Sequence, residues 1–318
     1  MRGTLLAETT LGDGRRLQVV NAQPGDAEAM TAVILDAFRS RPPVDPPPPA
    51  LFETVDAVRA ALARGFGVIA LVDDQPAGVV IVSIDDGLAG IHRVSVRPAY
   101  QQLGIASLMV SIALEELSLR SVHSVELIAR EEFPQVVSWW HRHGFTERGR
   151  NGTSLTLGQV LPVSFRAATA DDTRDLGRRM AGLLRRGDVI IASGDLGAGK
   201  TTLTQGIGEG MDVGGAVISP TFVLSRVHRS RNGGPDLVHV DAYRLGSAAE
   251  LDDLDLDAST DDSVTLVGWG TGVAEGLSDD RLEVDIRRSL DPADETRWIF
   301  LNPVGERWRS VRDELEAL

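Results

Sequence analysis

The stretch Gly194-Asp-Leu-Gly-Ala-Gly-Lys-Thr-Thr202 constrains the fold of this chain more than any other. It fits G-x-x-x-x-G-K-[ST], the pattern of a phosphate-binding P-loop, which works only between a buried strand and a helix. Both flanks are present: Val189 to Ala192 is a short apolar run that enters Gly194 directly, and a helix is expected from about Lys200. In that setting the N–H groups of Asp195, Leu196, Gly197, Ala198 and Gly199 turn inward as an anion nest, and the positive end of the helix faces the phosphates. Lys200 is placed to bridge the β- and γ-phosphates of ATP, the Thr201 hydroxyl to hold Mg²⁺, and Thr202 closes the stretch. The chain has 31 arginines and one lysine, and that lysine is Lys200. A compact ammonium on a flexible stem suits this cradle, whereas a planar guanidinium does not.

A P-loop also needs an acid at the end of a second buried strand, to hold magnesium through water. Leu237 to Val240 reads as that strand, and Asp241 ends it. Ser219-Pro220-Thr221-Phe222 lies between loop and acid, either as a segment that senses the γ-phosphate or as an ordinary proline turn. Upstream, Phe165 to Ala167 reads as a strand and Thr169 as the N-cap of a helix with Asp171 and Asp172 in its first turn. Leu176, Met180, Leu183 and Leu184 give that helix an apolar face. Glu250 to Asp262 holds seven acids and no base, which fits a solvated loop or a docking surface for a basic partner. Val311 to Leu318 reads as a short terminal helix.

At 318 residues the chain is long enough for about two domains. Ahead of the P-loop half, Arg16 to Val20 reads as a strand and Pro24 to Phe38 as a helix; Arg41 to Pro49 is a proline-rich extended loop, and Leu51 to Ala63 a second helix. Gly67 to Val72, Ala77 to Ile84 and Ile91 to Val96 form an antiparallel meander around two Asp-containing turns. Gln101 to Ala106 then opens a long helix to about Leu117, and the free N–H groups at its start make an anion site. A strand (Ser124 to Ala129), a helix (Pro134 to His143) and a closing strand (Gly149 to Leu157) follow, with Gly158 to Pro162 as linker.

Net charge is −14, split as −4 and −10 on either side of residue 157, so neither half has the basic surplus of a free-standing nucleic-acid binder. The absence of cysteine excludes disulfides, thiolate zinc sites and cysteine nucleophiles. Met1 to Leu11 lacks the pattern of a signal peptide, and no run of about 18 apolar residues suggests a membrane span. A cytoplasmic protein with no membrane partner is expected.

The first half resembles the GNAT family of N-acetyltransferases. Gln101, Gly104 and Ala106 meet the family's [QR]-x-x-G-x-[GA] signature for the pyrophosphate of acetyl-coenzyme A, with Gln102, Leu103 and Ile105 between them; Gly144-Phe145 matches the last motif. The resemblance implies that Val94, Ser95 and Val96 form the splayed strand that binds the pantetheine arm. A tyrosine four residues before the Gly-Phe pair often protonates the departing thiolate in this family. Here that place is Trp140, whose indole has no proton to give at neutral pH. His92, His141 or His143 could act as base or acid instead, and His92 is the catalytic candidate; His141 and His143 can equally be exposed helix residues.

The second half resembles the TsaE family, on Gly194–Thr202, Ser219–Phe222 and His239-Val-Asp-Ala-Tyr-Arg-Leu245 together. The resemblance implies an accessory ATPase of tRNA threonylcarbamoyladenosine formation, one that docks on a heterodimeric transferase (TsaB with TsaD) and resets it by its ATP cycle. Lys200 and Asp241 are its expected catalytic residues, with Thr201 and Asp241 on the metal. One departure stands out. The family's Leu-Val-Glu-Trp-x-Glu reads Leu266-Val267-Gly268-Trp269-Gly270-Thr271 here, so both glutamates are missing. The first belongs to the family's Mg–ATP site, so hydrolysis should be slow unless Glu275 or Asp262 substitutes.

The expected fold class is therefore α/β in two domains. Residues 1–157 form an α+β GNAT fold around a mixed, mostly antiparallel sheet, and residues 163–318 a P-loop NTPase α/β sandwich. The expected function is an ATP-binding accessory protein for tRNA threonylcarbamoylation fused to an acetyl-CoA-dependent acetyltransferase domain. The alternative is an N-acetyltransferase of protein N-termini or amines with a degenerate, regulatory nucleotide domain.

Overall fold

The computed structural model describes residues 3–85, 87–220, 223–245, 247–252, 262–289 and 294–318. Contacts divide the chain into two compact units, Met1–Leu161 and Pro162–Leu318.

The first unit is an eight-stranded sheet flanked by helices. In chain order its elements are β1 (Leu5–Thr10), β2 (Arg16–Asn21), α1 (Ala27–Arg39), α2 (Val55–Arg64), β3 (Gly65–Val72), β4 (Gln75–Asp85), β5 (Leu88–Val96), α3 (Ile105–Ser118), β6 (Ser124–Arg130), α4 (Pro134–Arg142), β7 (Thr146–Asn151) and β8 (Ser154–Val160). Strand order is β1-β2-β3-β4-β5-β6-β8-β7. All neighbours are antiparallel except β5 and β6, which run parallel and pair only over Leu88–Gly90 and Ser124–Glu126. Beyond Gly90 the two strands part, leaving the β6-side edge of Val94–Val96 without a ladder. Apolar residues fill both faces near β3 and β4. Val68, Ala70, Val80 and Val82 meet Met109 and Val110 of α3, while Ile69, Val79 and Ile81 meet Met30, Val33 and Ile34 of α1. Fully burying such side chains contributes about 1.5–3 kcal/mol each.

Three local expectations change. The second helix starts at Val55, not Leu51, because Thr54 caps it by accepting the Ala57 N–H; residues 49–52 form a separate 3₁₀ turn. The closing strand is a hairpin, β7 and β8, turning at Gly152. The expected linker at Gly158 is strand instead, since β8 pairs with β6 as far as Val160 opposite Ser124.

The second unit contains β9 (Val163–Ala167), α5 (Ala170–Ala181), β10 (Val189–Ser193), α6 (Lys200–Gly210), β11 (Ser225–His228), β12 (Asp236–Asp241), α7 (Ala248–Asp252), β13 (Ser263–Gly268), β14 (Arg281–Arg288), β15 (Arg297–Val304), α8 (Gly305–Arg309) and α9 (Arg312–Glu316). The sheet order is β11-β12-β13-β10-β14-β15-β9, with β12, β13, β10 and β14 parallel. The central strands β10 and β13 are buried along nearly their whole length, as strands covered on both faces must be, whereas β14 alternates, burying Leu282, Val284 and Ile286 between Arg281, Glu283, Asp285 and Arg287. Thr169 caps α5 in a reciprocal box with Asp172. That helix stops at Ala181, so Leu183 and Leu184 pack from the following turn. Helices α5 and α6 meet backbone to backbone: a Cβ on Gly206 would lie 2.0 Å from the Arg174 carbonyl oxygen. The terminal segment is structural. Trp308 and Leu315 are fully buried, and Arg307 clamps the buried Asp188 carboxylate with two hydrogen bonds at 3.2 and 3.0 Å. Most of the acidic run expected to be a loop or docking surface, residues 253–261, lies outside the described residues.

Candidate functional site

The P-loop site is assembled at the C-terminal ends of the parallel strands, where helix N-termini and strand ends converge. Strand β10 hands the chain to Gly194 (φ 132°), and Gly197 (φ 75°) and Gly199 (φ 118°) also adopt the left-handed conformations that L-residues resist. A Cβ on Gly194 would lie 2.3 Å from the Ile286 carbonyl oxygen. The loop is tied from outside by Arg297, whose Nε donates to the Ala198 carbonyl at 3.1 Å. Lys200 begins α6, and its Nζ donates to the carbonyls of Gly194 (2.6 Å) and Asp195 (3.0 Å). The ammonium also lies 3.7 Å from the centroid of the Trp269 ring. Burial lowers the Lys200 pKa, and the charges of Asp241 and Asp195 oppose that shift.

Asp241 ends β12 in register with Gly268 of β13, which in turn lies beside Ala192 of β10. Its buried carboxylate accepts the Ser219 hydroxyl at 2.9 Å and the Tyr243 N–H at 3.1 Å. Of the proposed sensing segment, Ser219 is thus brought to the acid, while Thr221 and Phe222 lie outside the described residues. Leu196 to Thr202, Ser219, Asp241 and Gly268 all line one cavity of 410 Å³. The Asp195 side chain is not among its lining groups; only its carbonyl is engaged.

Neither expected substitute for the missing glutamate reaches this cavity. Asp262 sits just before the first residue of β13, about 20 Å of strand away from Gly268 at 3.3 Å per residue. Glu275 is occupied closing its own loop, accepting the Gly272 N–H at 2.6 Å. Asp241 is therefore the one carboxylate among the described lining residues. A hard carboxylate and a hydroxyl are the donor types Mg²⁺ takes together with phosphate and water, so Asp241 and Thr201 fit that ion. The sequence reading missed His239, Tyr243 and Trp269 as lining groups. His239 was legible in principle: two residues before Asp241, it shares its face of the strand. Its ring is buried, its Nδ1 has no hydrogen-bond partner, and burial, reinforced by His228, pushes its pKa down to about 4.

In the first unit, the parting of β5 from β6 leaves the edge of Val94, Ser95 and Val96 open. Their side chains point away from it: Val94 and Val96 pack with the α3 core, and the Ser95 hydroxyl is buried. Gln102 (φ 62°) and Gly104 (φ 77°) curl the following loop, and Gly104 caps α3. The N–H groups of Ile105 and Ala106 therefore face outward as an anion site. Gln101 donates to the Val96 carbonyl at 3.1 Å, tying loop to strand. Ile105 is buried and Leu103 half-buried against the core, so these two act through the backbone.

His92 lies on β5 with its Nε2 2.9 Å from the Ser83 hydroxyl, and burial, then the Arg93 charge, lowers its pKa. It lines a 260 Å³ cleft with Ser83, Asp85, Leu88, Glu126 and Ile128. Glu126 and Ile128 were missed, although alternation along β6 puts them opposite the buried Val125 and Leu127. Trp140 is a core residue, edge-on to Phe145 at 4.9 Å. His141 and His143 donate from Nδ1 to the carbonyls of Phe145 (2.9 Å) and Trp139 (2.8 Å), finishing α4. His92 belongs to the first unit and Lys200 and Asp241 to the second, so the three catalytic candidates form two sites.

Two family models match the chain. "Threonylcarbamoyl adenosine biosynthesis protein TsaE" covers residues 167–297 and "Acetyltransferase (GNAT) family" covers residues 31–145. A Streptomyces coelicolor protein named tRNA threonylcarbamoyladenosine biosynthesis protein TsaE is 59% identical over 140 residues, covering 43% of this chain and 95% of the relative. A Bacillus subtilis protein of the same name is 34% identical over 154 residues, covering 48% and 93%. Among solved structures, a PaiA N-acetyltransferase from Thermoplasma acidophilum in complex with coenzyme A is 12% identical and covers 45% of this chain and 98% of that one, with a TM-score of 0.40.

Proposed function

We propose, because this chain belongs to the TsaE family and carries an acetyltransferase (GNAT) family domain in its first half, that it is a nucleotide-dependent accessory protein of tRNA threonylcarbamoyladenosine formation joined to an acetyl-CoA-using domain. The observation that carries the reading is the convergence of Lys200, Thr201 and Asp241 on one cavity at the strand ends. The loop from Asp195 to Gly199, apart from the Ala198 N–H that donates to the Asp195 carbonyl at 3.0 Å, and the α6 N-terminus supply N–H groups to phosphate oxygens, and Lys200 supplies the positive charge between them. Asp241, oriented by Ser219 and the Tyr243 N–H, holds magnesium, which neutralises phosphate charge when bound. With Gly268 in place of an acid, no second carboxylate among the described lining residues orients a water, so the site binds Mg·ATP well and cleaves it slowly.

The partner is the TsaB–TsaD type of threonylcarbamoyl transferase, and tRNA chemistry places the protein in the cytoplasm. Among the described residues no helix is long and apolar enough to cross a membrane. Co-purification at endogenous level with and without Mg·ATP tests the partner. Recovery of the transferase subunits is expected, and their consistent absence would remove this reading of the second half.

The His92–Ser83 pair beside the parted strands favours acetyl transfer in the first half. The curled loop at Gln102 and Gly104 is the seat for the acetyl-CoA pyrophosphate, and the open edge at Val94–Val96 is the track for its pantetheine arm. His92, neutral near pH 7, takes a proton from the acceptor amine. Loss of acetyl-CoA binding in a Gly104→Asp variant supports this seat; unchanged binding argues against it.

A further inference from the structure

Among the described residues the Lys200 ammonium contacts two carbonyl oxygens of its own loop and, as a third partner, the face of the Trp269 indole at 3.7 Å. Nothing in the P-loop pattern requires the third. The backbone delivers the ring there. Strand β13 ends at Gly268, and Trp269 turns left-handed (φ 61°), a conformation uncommon for an aromatic residue. Its N–H is fixed on the Ala192 carbonyl at 2.9 Å. Gly270 then lets the chain fold tightly under it, since a Cβ there would come within 2.9 to 3.1 Å of Val267, Ala274 and Ile191. Tyr243 lies against the same indole, with ring centroids 5.1 Å apart, and is itself exposed.

We propose that Trp269 is a positioning residue that holds the Lys200 ammonium in the phosphate-free site, so that indole and phosphate compete for this one cation. The inference rests on the reading that the loop takes Mg·ATP. A half-buried ammonium has lost much of its water, and a ring face substitutes for part of it, which is where a cation–π contact is strongest. Phosphate oxygens offer full negative charge in place of that quadrupole, so they draw Nζ off the ring. The indole released by that exchange abuts Tyr243, and nucleotide occupancy is thereby felt at an exposed side chain.

The single lysine makes the test direct. Full-length protein labelled with [¹³Cε]lysine gives one Hε–Cε correlation, which the indole ring current must displace upfield in the nucleotide-free state. Saturating Mg·ATP should return it to the position found in nucleotide-free Trp269→Leu protein. Calorimetry should show Trp269→Leu binding Mg·ATP about 2- to 30-fold more tightly than the natural chain, with Trp269→Phe between them. A resonance that is not shifted without nucleotide, or that stays upfield with Mg·ATP bound, overturns the proposal and needs no variant. Weaker binding by Trp269→Leu also overturns it, making the indole a nucleotide contact. Absence of Mg·ATP binding to the natural chain sinks the nucleotide reading and the competition with it, while the nucleotide-free resonance still reports whether the ring holds the lysine.

Discussion

Replacing Gly268 by glutamate should raise ATP hydrolysis and lower the stability of the second unit in the absence of ligand, and both effects can be sized from the structure. Gly268 has an ordinary strand backbone, and a Cβ there would meet only the Val240 carbonyl oxygen at 3.6 Å, so the side chain enters without strain. It would emerge beside Asp241, its register partner on β12. Adjacent strands lie about 4.8 Å apart. Two carboxylates at about 6 Å repel by roughly 0.7 kcal/mol at the dielectric of water and roughly 3 kcal/mol at an effective dielectric of 20. The second unit of Gly268→Glu should therefore lose about 1–3 kcal/mol without ligand and recover it with Mg·ATP, which screens the pair. With a second acid to handle charge at the reacting phosphate, the turnover number should rise by about 10²-fold. Phosphate release at saturating Mg·ATP gives the rate, and urea unfolding with and without Mg·ATP gives the stability. A variant that binds Mg·ATP normally yet turns over within threefold of the natural chain would refute the argument that a missing carboxylate limits this site.

Two further outcomes follow from the titrating imidazoles. His239 is held neutral in the fold, with its pKa near 4 against an ordinary 6.5, so the unfolded chain takes up its proton first. Stability from this group is complete above pH 6.5 and falls as pH drops toward 4, by about 2–3 kcal/mol at pH 4.5; urea titrations at pH 7 and 4.5 should show that loss, and His239→Gln should reduce it. Burial, then the Arg93 charge, lowers the His92 pKa from its ordinary 6.5, so the acid limb of acetyl transfer should lie below that value. His92→Ala should slow transfer by about 10²-fold or more.

The parts of this molecule that could be read from the sequence are those written in short, contiguous code. The P-loop is one: strand, glycine turn and helix lie within 22 residues, from Val189 to Gly210. The Thr169 capping box and the β3–β4–β5 meander are others, since each is closed by neighbours in the chain. What escaped depends on distant pairing. β1 shows no alternation and exists because it lies along β2 at the sheet edge. The cleft around His92 arises where β5 leaves β6 after three paired residues, while β6 continues along β8 for its whole length. Asp262 and Glu275 looked equivalent in sequence as replacements for the missing acid. They are not, because one stands at the wrong end of β13 and the other is bonded to its own turn. Trp269 reaches Lys200 across 69 positions of sequence, and only the parallel order of β10 and β13 brings them together.

The account depends on one lysine, and calorimetric titration of the full chain with Mg·ATP, natural against Lys200→Ala, examines it most directly. Losing its charged contacts to phosphate should weaken binding by about 10²-fold or more. Saturable binding in the natural chain that disappears in the variant is the predicted result. Equal affinities would mean that the cavity between Lys200 and Asp241 is not where the nucleotide goes.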